Sequence, residues 1–190
     1  MLSSCTENFV FGVAQNPHCQ ERTTGGSSGG DAGLVASKCT MFALGGDIGG
    51  SIRMPANHCG IFGIRFTSQR VSREHLRLPN PQNFCPFDYI QTSPGPLART
   101  FEDLLCLSKL MLSAPVTAQD PTVPPLSFAD HLYSSTLRNK GRIGYFDSFQ
   151  LAPTSPSVKR AIRMAKEALE AQGYELVPFR LTYEEQVEAQ

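Results

Sequence analysis

Residues 25–30 read GGSSGG, and a second serine in a glycine-rich setting follows in GGDIGGSIR at residues 45–53. Taken alone, the first stretch is typical of a flexible loop or linker, because glycine permits many backbone conformations. The second stretch is equally typical of a turn before a short strand. Their serines Ser27 and Ser51 stand 24 residues apart. The combination of the two stretches, rather than either one, suggests two parts of a single site.

The second stretch has the composition of a catalytic turn. Two glycines before Ser51 allow the backbone to bend sharply and to direct successive N–H groups at one point. Such converging amides form an oxyanion hole, which stabilises the charged oxygen of a tetrahedral intermediate. Ser51 would then be a nucleophile beside its own donors, which are the N–H groups of Ile48, Gly49, Gly50 and Ser51.

A serine nucleophile needs a base to remove its proton, and that base is not obvious in this sequence. His58 follows Ser51 by seven residues, but nothing marks an acidic partner for it. Ser27 offers an alternative, because it could relay the proton to a more distant lysine, as in known serine–lysine variants of the catalytic triad. The glycines around Ser27 also permit a non-proline cis peptide bond, which is usually kept only where function requires it.

Composition narrows the class of protein. The chain has 190 residues, which favours one domain, and 41% hydrophobic with 18% charged residues, which is ordinary for a soluble globular protein. Its 17 basic and 17 acidic residues cancel, so no electrostatic argument favours nucleic acid as a partner. No apolar run approaches the roughly 18 residues of a membrane span, and the first residues do not resemble a signal peptide.

The cysteines and histidines do not suggest a metal site. The closest two of the six cysteines are 14 residues apart, which excludes zinc-type spacing, and the four histidines form no local cluster. We expect reduced, mostly buried thiols, which favours a cytosol-facing protein. No metal and no organic cofactor is predicted.

Helical and strand patterns become clear in the second half of the chain. A helix is predicted over 100–112, capped by Thr100 and closed by Asp103. A second helix is predicted from Ser155, the N-cap, and Pro156 to a stop at Gly173. Strands at 141–146 and 174–179 flank it, so the unit is β–α–β with a parallel pair.

The first half of the chain is harder to assign. Residues 31–37 are compatible with a helix, and residues 68–96 with extended segments and turns. Residues 43–67 contain glycine at a density that is poor for a regular helix or strand, and that suits backbone approaching something closely.

At this point the sequence resembles a known family. The stretches GGSSGGDAGLVAS and LGGDIGGSIRMPANHCGIFGIRFTSQRVS resemble the signature of the amidase signature family of serine hydrolases. Within the family, NPHCQERTTGGSSGG, GPLARTFEDLLCL, DPTVPPLSF, RIGYF and GYELVPF are most similar to the animal members that hydrolyse fatty-acid amides. The resemblance implies an α/β amidase signature fold, a mixed β-sheet surrounded by helices, incomplete over these residues.

The resemblance also implies roles for individual residues. The family uses a Ser–Ser–Lys unit, in which Ser51 matches the acylated nucleophile and Ser27 the bridging serine, with a cis peptide bond after Gly26. Asp47 and Arg53 match positions interpreted as supporting the loop. Substrate contacts are implied for Met1, Ser27, Ile48, Gly49, Gly50 and Ser51.

The family lysine has no counterpart here. It lies well upstream of the paired serines, whereas only 26 residues precede Ser27 and none of them is lysine. We therefore expect residues 1–190 to be a partial amidase domain that lacks the lysine region and the C-terminal half, with little activity alone and marginal stability. The implied partner is a small fatty-acid amide, with a possible homodimer. Membrane association, facing the cytosol or endoplasmic reticulum, would arise only through other parts.

Two alternatives remain open. The same fold could act on another amide, such as glutamine in the glutaminase subunit of a tRNA-dependent amidotransferase, although DPTVPPL favours the fatty-acid branch. The chain could also be a catalytically silent truncated product that binds partners or acyl ligands.

Overall fold

The computed structural model describes residues 3–74, 91–148 and 153–179. These residues fall into two compact units, one within Met1–Phe128 and the other within Ala129–Gln190. The expectation that residues 1–190 form one partial amidase domain stays a prediction.

The first unit carries most of the secondary structure. Its elements in chain order are β1 (Glu7–Asn8), β2 (Gly12–Val13), β3 (Gln15–Asn16), β4 (Cys19–Thr23), α1 (Gly29–Ala36), β5 (Phe42–Asp47), α2 (Arg53–Cys59), β6 (Phe62–Gly63), β7 (Ser93–Ala98), α3 (Phe101–Met111) and α4 (Ala114–Thr117). The strand pairs β1–β2 and β3–β4 are antiparallel hairpins. Strands β5, β7 and β6 form an antiparallel sheet in that order.

Two apolar clusters hold the first unit together. The first contains Val35 of α1, Ile52 and Ala56 at α2, and Leu97 of β7, all buried. It therefore fixes the two helices that follow the serine-bearing turns against one sheet. The second cluster lies around Phe66, Val71 and Leu112.

The expectation for residues 43–67 was partly wrong, because this stretch contains the regular strand β5 and the helix α2. Glycine is accepted in β5 because the strand packs without room for a side chain. A Cβ on Gly45 would lie 2.6 Å from Ser28 Oγ and 2.9 Å from Ile52 Cγ1. The expected close approach of the backbone is thus confirmed.

Strand β7 falls in the stretch predicted to be extended. Its sequence SPGPLA places Pro94 and Pro96 in the middle strand of the sheet, although proline gives no N–H to a ladder. Residues 68–74 form turns and bends, as expected. The rest of the predicted stretch, residues 75–90, lies outside the described residues.

The two predicted helices are confirmed with their caps. Thr100 Oγ1 accepts the Asp103 N–H at 3.1 Å, at the start of α3. The box is closed differently from the usual pattern, because the Asp103 carboxylate accepts the Thr100 hydroxyl, 2.7 Å away, rather than a backbone N–H. The helix predicted over 31–37 is also present as α1.

The second unit contains α5 (Asp130–Arg138), β8 (Arg142–Tyr145), α6 (Pro156–Ala171) and β9 (Glu175–Pro178). Strands β8 and β9 are parallel, which confirms the predicted β–α–β unit. Ser155 caps α6 with Pro156 at its first position, and Gly173 beyond its end has a positive φ of 85°.

The cysteine prediction was only partly right. Five cysteines lie in described positions and all are free thiols, as expected. Of these only Cys59 is buried, however, while Cys39 and Cys106 are exposed, so the thiols are not mostly buried. Cys85 lies outside the described residues. Within the described segments, every helix is too short or too polar to cross a bilayer.

Candidate active site

Residues 25–30 form an ordered turn rather than a linker. The Gly26–Ser27 peptide bond is cis, as the sequence and the resemblance predicted. Ser28 then leads into α1, and its carbonyl accepts the first helical bond, from Ala32 at 3.1 Å. A Cβ on Gly26 would lie 2.5 Å from the carbonyl oxygen of Ser3, which accounts for glycine at this position.

Residues 47–53 form the second turn, and Asp47 organises it from the end of β5. Asp47 is fully buried, and its carboxylate accepts N–H groups from Gly50 at 2.7 Å, Ile52 at 3.1 Å and Arg53 at 3.3 Å. The Arg53 guanidinium donates to both carboxylate oxygens at 3.0 Å. Gly50 takes a φ of 127°, a conformation that side chains rarely permit. The predicted supporting role of Asp47 and Arg53 agrees with these bonds.

The charge on Asp47 is held by its hydrogen bonds. Burial alone would raise the pKa of this carboxyl, because a buried charge loses its hydration. The bonds from Arg53 and from the backbone N–H groups outweigh burial and lower the pKa to about 2. Asp47 is therefore an anion throughout the neutral range, and it serves as a structural anchor rather than a proton acceptor.

The two turns are joined directly. The Ser28 N–H donates to the Ser51 carbonyl oxygen at 3.0 Å, so the residue after Ser27 is bonded to the candidate nucleophile. The side chain of Ile52, next to Ser51, packs in the same cluster as α1. Residues that are 24 apart in the sequence thus share one site.

The backbone amides around Ser51 differ in their use. The Gly50 N–H is taken up by the Asp47 carboxylate, so its predicted role as an oxyanion donor would require it to leave that bond. The N–H groups of Ile48, Gly49 and Ser51 make no hydrogen bond to any group in the described part of the chain. These three amides therefore have the capacity to bind an external oxygen.

The remaining predicted positions are accounted for as follows. Met1 lies outside the described residues. His58 is exposed and lies beside Gly25, where a Cβ would be 2.8 Å from its Nδ1. Its side chain forms no hydrogen bond within residues 3–74, 91–148 and 153–179, so no acid orients it as a base. Lys38 is exposed beyond the end of α1, with a φ of 66°.

Sequence reasoning missed Arg65 and Thr6. Arg65 Nε donates to the Asp47 carbonyl oxygen at 3.2 Å and lies 3.7 Å from its carboxylate. The Thr6 hydroxyl contacts the turn at 25–30 through three backbone groups. Neither residue lies in a recognisable motif, and both reach the site from segments 18 or more positions away.

Comparisons with known proteins agree with this geometry. The family model described as Amidase matches residues 1–189. The chain is 37% identical over 179 residues to Fatty-acid amide hydrolase 1 of Sus scrofa, covering 94% of this chain and 30% of that protein. It is 34% identical to a Glutamyl-tRNA(Gln) amidotransferase subunit of Desulfatibacillum aliphaticivorans, covering 96% of this chain and 36% of that one. A solved fatty acid amide hydrolase superposes with a TM-score of 0.79 at 25% identity, covering 94% of this chain and 30% of its own. The chain thus spans about a third of the length of these relatives.

Proposed function

The chain belongs to the amidase family, and from that premise we propose that it carries the nucleophile of an amide-hydrolysing enzyme. The expected family and its α/β fold are confirmed by the family match and by the superposition. The proposed activity belongs to the whole protein of which these residues are the nucleophile-bearing part.

In this proposal Ser51 attacks the carbonyl carbon of an amide. The developing oxyanion is bound by the N–H groups of Ile48, Gly49 and Ser51, with Gly50 joining them if it leaves Asp47. Ser27 takes the Ser51 proton and passes it toward the leaving nitrogen, with the final base assigned by family resemblance to a lysine. The amine departs, and water then hydrolyses the acyl-enzyme.

One observation carries the proposal: the hydrogen bond from Ser28 N–H to the Ser51 carbonyl. It brings the residue adjacent to Ser27 into contact with Ser51, which a proton relay requires. The same turn leaves three amide donors without an acceptor in the described part of the protein. A linker and an unrelated turn would give neither feature.

We propose long-chain fatty-acid amides as the substrate class. The support is the 37% identity to Fatty-acid amide hydrolase 1 and the DPTVPPL segment. Glutamine is the alternative, supported by the 34% identity to the amidotransferase relative. Release of ammonia from a long-chain primary amide and from glutamine, measured side by side, separates the two.

A fluorophosphonate probe tests the nucleophile. We expect covalent labelling at Ser51, loss of labelling in Ser51→Ala, and a lower labelling rate in Ser27→Ala. Ser37→Ala is the matched control, because Ser37 is an exposed serine whose hydroxyl bonds locally to the Leu34 carbonyl. Labelling that persists in Ser51→Ala would contradict the proposal.

A second function is favoured by one feature of the second unit. An apolar groove of about 340 Å³ lies between α6 and the two strands, lined by residues including Ile143, Phe146, Leu169 and Phe179. This volume is at the lower end of the range for small-molecule sites. If the chain is catalytically silent, it would bind an acyl chain there, and displacement of a fluorescent fatty acid, weakened by Leu169→Asp, tests this function.

A further inference from the structure

We propose that Thr6 is a positioning residue that holds Ser27 in register with Ser51. This inference rests on the proposed function of the two serines. Thr6 lies immediately before β1 and does not touch either serine side chain within the described residues. Its effect on the reaction would act through the backbone of residues 25–29.

The contacts of Thr6 surround Ser27 on both sides. The Thr6 hydroxyl lies 3.0 Å from the Gly25 carbonyl oxygen and 3.2 Å from the Ser27 carbonyl oxygen, and it can donate its hydrogen to either. The same oxygen accepts the Gly29 N–H at 3.0 Å. One side chain therefore bonds to the residues two before and two after Ser27, and to Ser27 itself.

The fit between Thr6 and the turn is close. A Cβ on Gly29 would lie 2.4 Å from Thr6 Oγ1 and 2.5 Å from Thr24 Oγ1. A Cβ on Gly26 would lie 2.8 Å from the backbone nitrogen of Cys5. The segment before β1 therefore packs directly on the serine turn, and the glycines at 26 and 29 make room for it.

The position of the turn is passed on to Ser51 by the next bond along the chain. Ser28 donates its N–H to the Ser51 carbonyl oxygen, and Gly29, which Thr6 holds, is its direct neighbour. If the Thr6 hydroxyl is removed, the backbone groups on both sides of Ser27 lose a partner. A displacement of about 1 Å in a catalytic group can cost about 100-fold in rate.

The test compares Thr6→Val, which keeps the shape and removes the hydroxyl, with Thr6→Ser, which keeps the hydroxyl. We expect Thr6→Val to lower both kcat and the fluorophosphonate labelling rate at Ser51 by about 10- to 100-fold, with KM within about twofold. Thr6→Ser should stay within about threefold of the unmodified protein. If Thr6→Val does not fold, Thr6→Ala takes its place, because it also lacks the hydroxyl without added bulk.

Asn8→Ala is the matched control. Asn8 lies two residues away in β1, and its side chain bonds only to the Val10 and Phe11 N–H groups of the same hairpin. We expect it to leave the labelling rate unchanged, so that a general disturbance of the hairpin is separated from the loss of the Thr6 hydroxyl. An equal fall in both variants would overturn the inference.

Amide hydrogen exchange gives a readout that does not depend on activity. In Thr6→Val the N–H groups of Ser28 and Gly29 should exchange at least about tenfold faster, with little change elsewhere in α1. Unchanged exchange at both amides would overturn the inference even if the protein is active. If the unmodified protein is not labelled at Ser51, the proposed function fails, and the exchange result alone then decides whether Thr6 holds the turn.

Discussion

Asp47→Asn is the substitution that the site predicts most sharply. The buried carboxylate accepts five hydrogen bonds, whereas an asparagine side chain has one acceptor oxygen and directs an NH₂ group at the remaining donors. At least two N–H groups lose their acceptor in either orientation of the amide. Arg53 is about half exposed and can turn to water, so the cost falls mainly on the buried backbone. We expect a loss of about 3 kcal/mol in the free energy of unfolding at pH 7.

The loss should depend on pH in a defined direction. The pKa of Asp47 is about 2 in the folded protein against an ordinary value of 3.8. Because the folded value is lower, the charged form stabilises the fold fully above about pH 5, and this stabilisation disappears as the pH falls toward 2. It amounts to roughly 2 kcal/mol at pH 7, of which about 1 kcal/mol is gone at pH 3. The gap between the unmodified protein and Asp47→Asn should therefore narrow by about 1 kcal/mol between pH 6 and pH 3.

Urea unfolding followed by far-UV circular dichroism at pH 6 and pH 3 measures both effects. Glu102→Gln is the control, because it removes one carboxylate from an exposed position in the first turn of α3, and we expect it to cost less than about 1 kcal/mol. A loss below about 1 kcal/mol in Asp47→Asn, or a gap that is equal at the two pH values, would refute the assigned role of the carboxylate.

Three further results are expected. Gly45→Ala should cost about 1–3 kcal/mol in urea unfolding because its Cβ would lie 2.6 Å from a serine oxygen, whereas Gly49→Ala, which meets nothing within 4 Å, should leave the packing unchanged. Thr100→Ala should lower stability by about 1 kcal/mol, because it removes the acceptor that caps α3; a change near zero in thermal unfolding would show that the cap contributes nothing. Burial raises the pKa of Cys59 and shields its thiol, so a thiol reagent at pH 8 should modify the exposed Cys106 well before Cys59, with comparable rates only after denaturation.

The helices of this protein were predictable because their signals are local. Thr100 and Ser155 stand at the N-caps, and proline begins α6, so a few neighbouring residues specify each start. Strand β7 was predictable only as extended backbone, because its two prolines argue against an interior strand. Its place between β5 and β6 depends on tertiary pairing that no short window of sequence contains.

The site was predictable only in part, for the same reason. The glycines around Ser51 indicate converging amides, but the partnership of Ser27 with Ser51 remained one option until the resemblance supplied it. Nothing in the residues alone indicated that the Gly50 amide would be used by Asp47, or that Arg65 and Thr6 would reach the turns from elsewhere in the chain. Such contacts depend on how distant segments pack, which pattern reasoning does not give.

The antiparallel course of α1 and β5 has a consequence for how the paired serines should be sought in other sequences. The chain leaves the first turn along the helix and returns to the second along the strand, while the connection at residues 37–41 is largely exposed. An insertion in that connection changes the count between the serines without moving either of them, whereas one added residue between Asp47 and Ile52 would break the carboxylate's bonds. A search pattern with elastic length at 37–41 and fixed length at 47–53 would therefore follow the architecture more faithfully than one fixed interval.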